Sequence, residues 1–268
     1  MSIYLFVLSP PRSGSTVLWK LLATSPNVSA LPKEGQFLDP VRPMMREQHW
    51  NPKRQFPWQK IKSEWEKTWD SNKLIKLEKS PPNLLRAEEI EKVFNPSYFI
   101  VTIRSPYAFC EGYVRRKGKP VESAAVFWLK CAKSQIHNIK NLKNVEFFTY
   151  ENFTENPLEV RTRILDFLPQ LNDIDLEGNF SARSILGREA RKISNLNQIK
   201  IDQLSSKNIL KINNVLQEHP ECMSFFGYDF IYPSQRHTVR HYQSIVRLKA
   251  NQWSQRTKRL TKHFASKK

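Results

Sequence analysis

Pro11-Arg12-Ser13-Gly14-Ser15-Thr16 has the residue types and the spacing to hold an anion. Three hydroxyls can donate hydrogen bonds, the Arg12 guanidinium adds a planar cationic fork, and Gly14 lets backbone N–H groups approach a ligand closely. The plainer alternative, a tight turn with an N-cap serine, needs only one such residue. A second candidate anion site is Ile103-Arg104-Ser105-Pro106, where an arginine leaves an apolar run just before a proline that can open a helix. Its alternative is a solvated loop arginine. Two anion sites at strand ends of one sheet imply a ligand with phosphates at both ends.

Both segments need elements to aim them. Ile3–Leu8 (IYLFVL) is a short continuous apolar run, which predicts a buried strand. Val17, Leu18, Leu21 and Leu22 recur at helical spacing after the polar loop. The anion would then meet a helix N-terminus, with its unpaired N–H groups and partial positive charge. Lys73–Leu77, Tyr98–Ile103 and Val145–Thr149 are three further strand candidates. Helices are expected after Pro81-Pro82 to about Phe94, after Pro106, from Val121 to Leu142, over Pro157–Leu168 and over Leu204–Leu216. Residues 170–202 are polar and less periodic, and Phe225–Ile231 is an apolar closing segment. Strands alternating with helices argue for a parallel sheet covered on both faces, with ligands at the carboxyl ends of the strands.

Composition narrows the chemistry. The seven glycines form neither a GxGxxG fingerprint nor a GxxxxGK[ST] phosphate loop, which removes ordinary dinucleotide-binding oxidoreductases and Walker-type NTPases. No HExxH and no Cys-x-x-Cys pair supports a zinc site, and no metal is expected; His237 and His241 could share a helix face but read as an exposed polar pair. Three cysteines, an odd number, argue against a disulfide framework and for a reducing, cytoplasmic setting. No apolar run approaches a membrane span or a signal peptide. The 268 residues carry a formal net charge of +18. Ten of the basic residues fall between Gln235 and Lys268, where no acidic residue occurs.

Several segments resemble, in the same order, sulfotransferases that use 3′-phosphoadenosine 5′-phosphosulfate (PAPS). FVLSPPRSGSTVLWKLL is similar to their 5′-phosphosulfate loop, and YFIVTIRSPYAF to their 3′-phosphate segment. LEKSPPNLL, FFTYENFTENPLEVRTRILDFL and INNVLQEHPECMSFFGY resemble three later units, so the likeness covers about residues 3–230. It implies a P-loop-kinase-like, three-layer α/β fold around a central, mainly parallel five-stranded sheet. It also implies PAPS as co-substrate and its desulfated form, PAP, as product, with a hydroxyl, and by the type of base a carbohydrate hydroxyl, as acceptor.

Carried over residue by residue, the resemblance puts Arg12 opposite the transferring sulfuryl group. Ser13, Gly14, Ser15 and Thr16 wrap the 5′-phosphate, Arg104 meets the 3′-phosphate and Tyr150 lies near the adenine. Gly187-Arg188 resembles a late basic loop that closes over the nucleotide. The family has a serine eight residues after its arginine; here that position is Gly112. Ser105, Arg115 and Arg116 are the candidates to compensate. Cytosolic members place a histidine base where this chain has Pro81. The segment Leu31–Leu38 resembles the glutamate-base type instead, which makes Glu34 the candidate base and Lys79 the candidate cation near the bridging oxygen. Glu78 and Asn83 are candidate substrate contacts. A phosphotransferase on a related fold and a non-catalytic PAP- or nucleotide-binding protein are the rival readings.

The expected division is a sulfotransferase domain over residues 1–234 and a basic arm over 235–268. In the arm Val239, Tyr242, Val246, Trp253, Leu260 and Phe264 recur at roughly helical spacing, which predicts an amphipathic basic helix. A solvated tail, an electrostatic hold on an anionic acceptor or membrane surface, and nucleic-acid binding are its three readings.

Overall fold

The computed structural model describes residues 2–187, 190–235, 237–247 and 250. The chain runs β1 (Ile3–Leu8), α1 (Ser15–Leu22), β2 (Val28–Ala30), α2 (Arg42–Arg46), α3 (Trp58–Glu66) and β3 (Ile75–Glu78). It continues through α4 (Ala87–Val93), β4 (Ser97–Ile103), α5 (Pro106–Lys117), α6 (Val121–Asn141), β5 (Val145–Thr149), α7 (Tyr150–Glu155) and α8 (Pro157–Phe167). A short hairpin of β6 (Phe180–Ser181) and β7 (Ala190–Arg191) follows, then α9 (Asn197–Ile201), α10 (Ser206–Leu216) and α11 (Pro220–Phe225). Residues 237–247 are helical.

The sheet order is β2-β3-β1-β4-β5, and every pair is parallel. Parallel strands buried on both faces call for apolar residues in both orientations, and β1 supplies them. Tyr4, Phe6 and Leu8 pack with Trp65, Trp69, Phe94 and Phe99 in one layer. Leu5 and Val7 pack with Leu18, Leu21, Phe148 and Ile164 in the other. A third cluster joins Ile103, Phe109 and Trp128 to Ile209, Ile212 and Leu216, where α5, α6 and α10 meet. Each such side chain contributes about 1.5–3 kcal/mol by leaving water. The helices start by local chemistry. Pro106, Pro157 and Pro220 open α5, α8 and α11. Thr149 and Asn152 exchange a capping box at α7, and Ser205 caps α10.

The order of strands places the site. β1 lies between β3 and β4, so the chain leaves β1 on one side of the sheet and returns to its other side at β4. The crevice at such a switch point opens at the carboxyl ends of the strands. Gln135 on α6 ties those ends together, its Nε2 donating to Leu8 O at 2.7 Å and to Thr102 O at 3.1 Å.

The sheet is the expected five-stranded α/β type and is wholly parallel, with local differences. β3 begins at Ile75 rather than Lys73, because an Asx turn at Asp70 still holds Asn72 and Lys73. The fifth strand, β2, has three residues and no apolar run to announce it. Residues 170–202, read as polar and less periodic, hold the β6–β7 hairpin and α9. His237 and His241 do not face solvent as a pair. His237 is buried with Nε2 2.9 Å from Leu204 O, and His241 Nδ1 lies 3.1 Å from Asp202 O. The rest of the basic arm, 251–268, lies outside the described residues. Among the described residues no helix is long and apolar enough to cross a membrane.

Candidate active site

The loop from β1 to α1 makes a concave run of backbone. Arg12 (φ 72°) and Gly14 (φ 84°) are both left-handed, and Gly14 caps α1. Arginine reaches that conformation only at a cost, which surrounding structure must impose. Glycine is required at 14 for a second reason: a Cβ there would lie 2.6 Å from Cδ2 of Tyr150. The Ser13 hydroxyl is buried with no hydrogen-bond partner among the described residues. A buried hydroxyl left unpaired is destabilising unless a ligand completes it.

Arg104 stands at the end of β4. Its Nε donates to Asn197 Oδ1 at 2.6 Å, its Nη1 donates to Arg12 O at 3.1 Å, and its Nη2 is buried without a partner among the described residues. The guanidinium lies 3.8 Å over the Tyr150 ring. Tyr150 is itself fixed, its hydroxyl donating to Ser194 O and accepting from Leu196 N, both at 3.1 Å. Glu151 holds the second layer. It accepts from Ser105 N at 3.0 Å, from Tyr228 Oη at 2.8 Å and from Asn197 Nδ2. Arg104 is thus aimed from both sides while one N–H edge stays open.

Arg12, Gly14, Ser15, Thr16, Arg104 and Tyr150 line one cavity between the β1 loop, α5, α7 and the β6–β7 hairpin. Among the described residues its wall carries Arg12, Arg104, Arg115, Arg116, Arg183, Arg191, Lys192 and Lys200, and no Asp or Glu. Phe180, Ile193 and Leu196 give it an apolar side. Burial, followed by the charges of Arg116, Arg115 and Arg183, holds the Arg12 pKa below its usual value. So concentrated a positive field favours a multiply charged anion. Among the described residues no group of three His, Cys, Asp or Glu is placed to hold a metal ion.

Beside the loop, Lys79 Nζ, at the end of β3, donates to Glu34 Oε1 at 2.7 Å and lies 3.5 Å from Thr16 Oγ1. Glu34 Oε2 accepts from Gln36 Nε2 at 2.6 Å, and Gln36 Oε1 accepts from Arg46 Nη1 at 3.0 Å. The Glu34 side chain is 25% exposed and that of Lys79 6%. Glu78 is fully buried. Its Oε1 accepts from Gly35 N at 2.8 Å and Ser80 Oγ at 2.6 Å, and its Oε2 from Asn83 Nδ2 at 2.5 Å. Burial pushes its carboxyl up to about 7. Glu78 and Asn83 therefore clamp the turn that carries Glu34. Gly35 is needed there because a Cβ would come within 2.6 Å of the Trp65 ring.

Arg12, Ser13, Gly14, Ser15, Thr16, Arg104 and Tyr150 are brought together, with Glu34 and Lys79 adjoining through Thr16. Arg188 lies outside the described residues. Lys200, Arg183 and Asn197 were missed, since each sits in the stretch without clear periodicity. The short alternation Phe180-Ser181-Ala182-Arg183, followed by Gly187 as a turn residue, is the signal that could have placed a hairpin, and so Arg183, beside the loop.

Solved structures of related shape include the sulfotransferase domain from the curacin biosynthetic pathway, at 19% identity, covering 92% of this chain and 98% of that one, with TM-score 0.47. The sulfotransferase domain of the Synechococcus PCC 7002 olefin synthase matches at 18% identity over 91% and 94% of the two chains, with TM-score 0.46. A Mycobacterium tuberculosis sulfotransferase matches at 14% over 66% and 69%, with TM-score 0.43. No curated protein matches by sequence. The sulfotransferase family profile matches residues 5–171, a span that runs from β1 through both strand-end anion segments to α8. The chain belongs to the sulfotransferase family, whose members move a sulfuryl group from PAPS to an acceptor and release PAP.

Proposed function

We propose that this sulfotransferase holds the PAPS 5′-phosphosulfate on Ser13, Gly14, Ser15 and Thr16, holds its 3′-phosphate on Arg104, and sulfates a carbohydrate hydroxyl with Glu34 as base. The observation that carries the donor assignment is the pair of buried donors without a partner among the described residues, Ser13 Oγ in the loop and Arg104 Nη2 on the cavity wall, beside a cavity on which no described residue is acidic. A nucleotide phosphorylated at both ends supplies the missing acceptors at once.

In the reaction the acceptor oxygen attacks sulfur as its proton passes to Glu34. The new S–O bond forms in line with the breaking bond to the 5′-phosphate oxygen, which leaves with the electron pair on PAP. Arg12 and Lys79 neutralise charge on the equatorial and leaving oxygens. Lys79 is poised for this because Glu34 and Thr16 hold its ammonium between base and loop. Positioning and fixed charge supply most of the acceleration, as in phosphoryl transfer. Glu34 supports an acceptor of the carbohydrate type, since it is the accessible carboxylate here and Pro81 stands where a histidine base would. Tyr150 braces the loop and Arg104 and is the candidate to lie near the adenine. Arg188 is the candidate to close over the nucleotide.

Calorimetric titration of the full chain with PAP and with ATP tests the donor class. PAP should bind at least tenfold more tightly. Tighter binding of ATP would replace this reading by a phosphotransferase.

A further inference from the structure

Lys200, on α9, is a buried lysine that no fold requirement explains. Its side chain is 5% exposed and lies against α5 at Gly112. The ammonium has three N–H donors. One makes a long hydrogen bond to Ala108 O at 3.3 Å, and the nearest carboxylate oxygen, Glu111 Oε2, is 3.9 Å away. The other Glu111 oxygen is taken by Arg115 Nε at 2.5 Å. A buried ammonium so weakly paired is costly, and a Met or Leu would fill the same space without that cost.

The surroundings raise the cost further. Burial first, then the charge of Arg104, pushes the Lys200 pKa well down; Glu111 opposes, and Arg115 and Arg12 add to the fall. Lys200 and Arg104 line the same cavity, and Arg104 keeps a buried N–H edge unused. The space for this arrangement is made by a missing side chain. A Cβ on residue 112 would lie 2.8 Å from Lys200 Nζ and 3.4 Å from Arg12 Cβ. The glycine is a notch in α5 through which the ammonium reaches the cavity.

We propose that Lys200, passing through the Gly112 notch, is a second cationic ligand of the donor's 3′-phosphate, so that Lys200 and Arg104 together make this site select a 3′-phosphorylated nucleotide. The proposal rests on the donor assignment of the preceding subsection. A phosphate dianion between the two groups would satisfy the open donors of both and reverse the sign of their mutual electrostatics. Neither group alone accounts for the other's unused N–H bonds.

Titration of the full chain with PAP and with adenosine 5′-monophosphate, which differ only in the 3′-phosphate, tests this. The wild type should prefer PAP. Lys200→Met should lose tenfold or more in PAP affinity and hold its affinity for the monophosphate within about twofold. Removing a weakly paired buried charge should not lower the melting temperature. Gly112→Ala is the second variant: alanine suits a helix interior, but its Cβ must displace the ammonium, so PAP affinity should fall severalfold with the monophosphate unaffected. Equal losses for both ligands, or no loss of PAP affinity in Lys200→Met, would overturn the role of Lys200 while leaving the donor assignment intact. A wild type that does not prefer PAP would overturn the donor assignment itself, and the proposal with it.

Discussion

Glu34 is a quarter exposed and grips Lys79, whereas Glu78 is closed off from water and grips the backbone that carries Glu34. Environment separates their tasks. If Glu34 takes the acceptor proton, Glu34→Gln should lower kcat by about 10²–10⁴ and leave PAP affinity nearly intact, since general-base catalysis contributes on that scale. Turnover of labelled PAPS against a glycan panel checks it; a variant at wild-type rate would move the role to another group. Glu78 makes a separate prediction about stability. Its folded-state pKa is raised from 4.5 to about 7 by burial. The folded state then binds the proton more tightly than the unfolded chain. The stabilisation is complete below 4.5 and is lost as pH rises through 7, an effect on the order of 3 kcal/mol. Glu78→Gln mimics the neutral acid, keeps an acceptor for Gly35 N and Ser80 Oγ, and, with the Asn83 amide turned over, can donate to Asn83 Oδ1, which lacks a partner among the described residues. Its stability relative to wild type should therefore improve between about pH 4.5 and 7, read by chemical denaturation. A constant difference across that range would mean Glu78 is charged throughout. The sequence identified Glu34 and Lys79 as neighbours in function but did not show that Glu78 and Asn83 clamp the turn that carries Glu34, because residue type does not reveal which of two adjacent side chains a strand turns inward.

The strand–loop–helix unit from β1 to α1 was legible because each of its parts carries a local signal: a continuous apolar run, a hydroxyl-rich loop, then helical spacing. Arg104 was legible for the same reason, at the edge of the β4 run. β2 was not, since three residues at the sheet edge take their order from pairing with β3 rather than from their own pattern. The β6–β7 hairpin and α9 were hidden likewise, because they are ordered by long-range contacts such as Arg104 to Asn197 and Tyr150 to Ser194. Close packing across elements yields a prediction at this scale. Gly14→Ala sets a β-carbon 2.6 Å from the Tyr150 ring and places a side chain at φ 84°. Either the ring or the loop must move, and the ring is pinned by two backbone hydrogen bonds. We expect a loss of roughly 1–3 kcal/mol in stability together with weakened PAP binding, measured by thermal melting and calorimetry. An unchanged PAP affinity would mean that the loop does not hold the 5′ end.

Across the molecule, positive charge is distributed unevenly: the donor cavity is cationic, and ten basic residues fall in the final arm. The described start of the arm docks through His237 and His241 on the Asp202–Leu204 turn, so the proposed boundary at 234 cuts through a packed contact. Removing residues 251–268 takes away six basic side chains and none of the contacts described here. That truncation should keep the melting temperature and PAP affinity. If the arm recruits an anionic acceptor, the full chain's KM should rise steeply with salt and the truncated form's should not, because exposed charges are screened beyond about 8–10 Å near physiological ionic strength. A truncated form with the same salt dependence would assign recruitment to the domain surface. The central claim, that one anion site at the end of β1 and another at the end of β4 hold the two phosphates of PAPS, is tested most directly by a crystal structure of the PAP complex. The account predicts the 5′-phosphate within hydrogen-bond distance of Ser13 Oγ and the backbone N–H groups of Gly14 to Thr16, with the 3′-phosphate on Arg104 Nη2. A nucleotide bound with either phosphate away from these groups would contradict it.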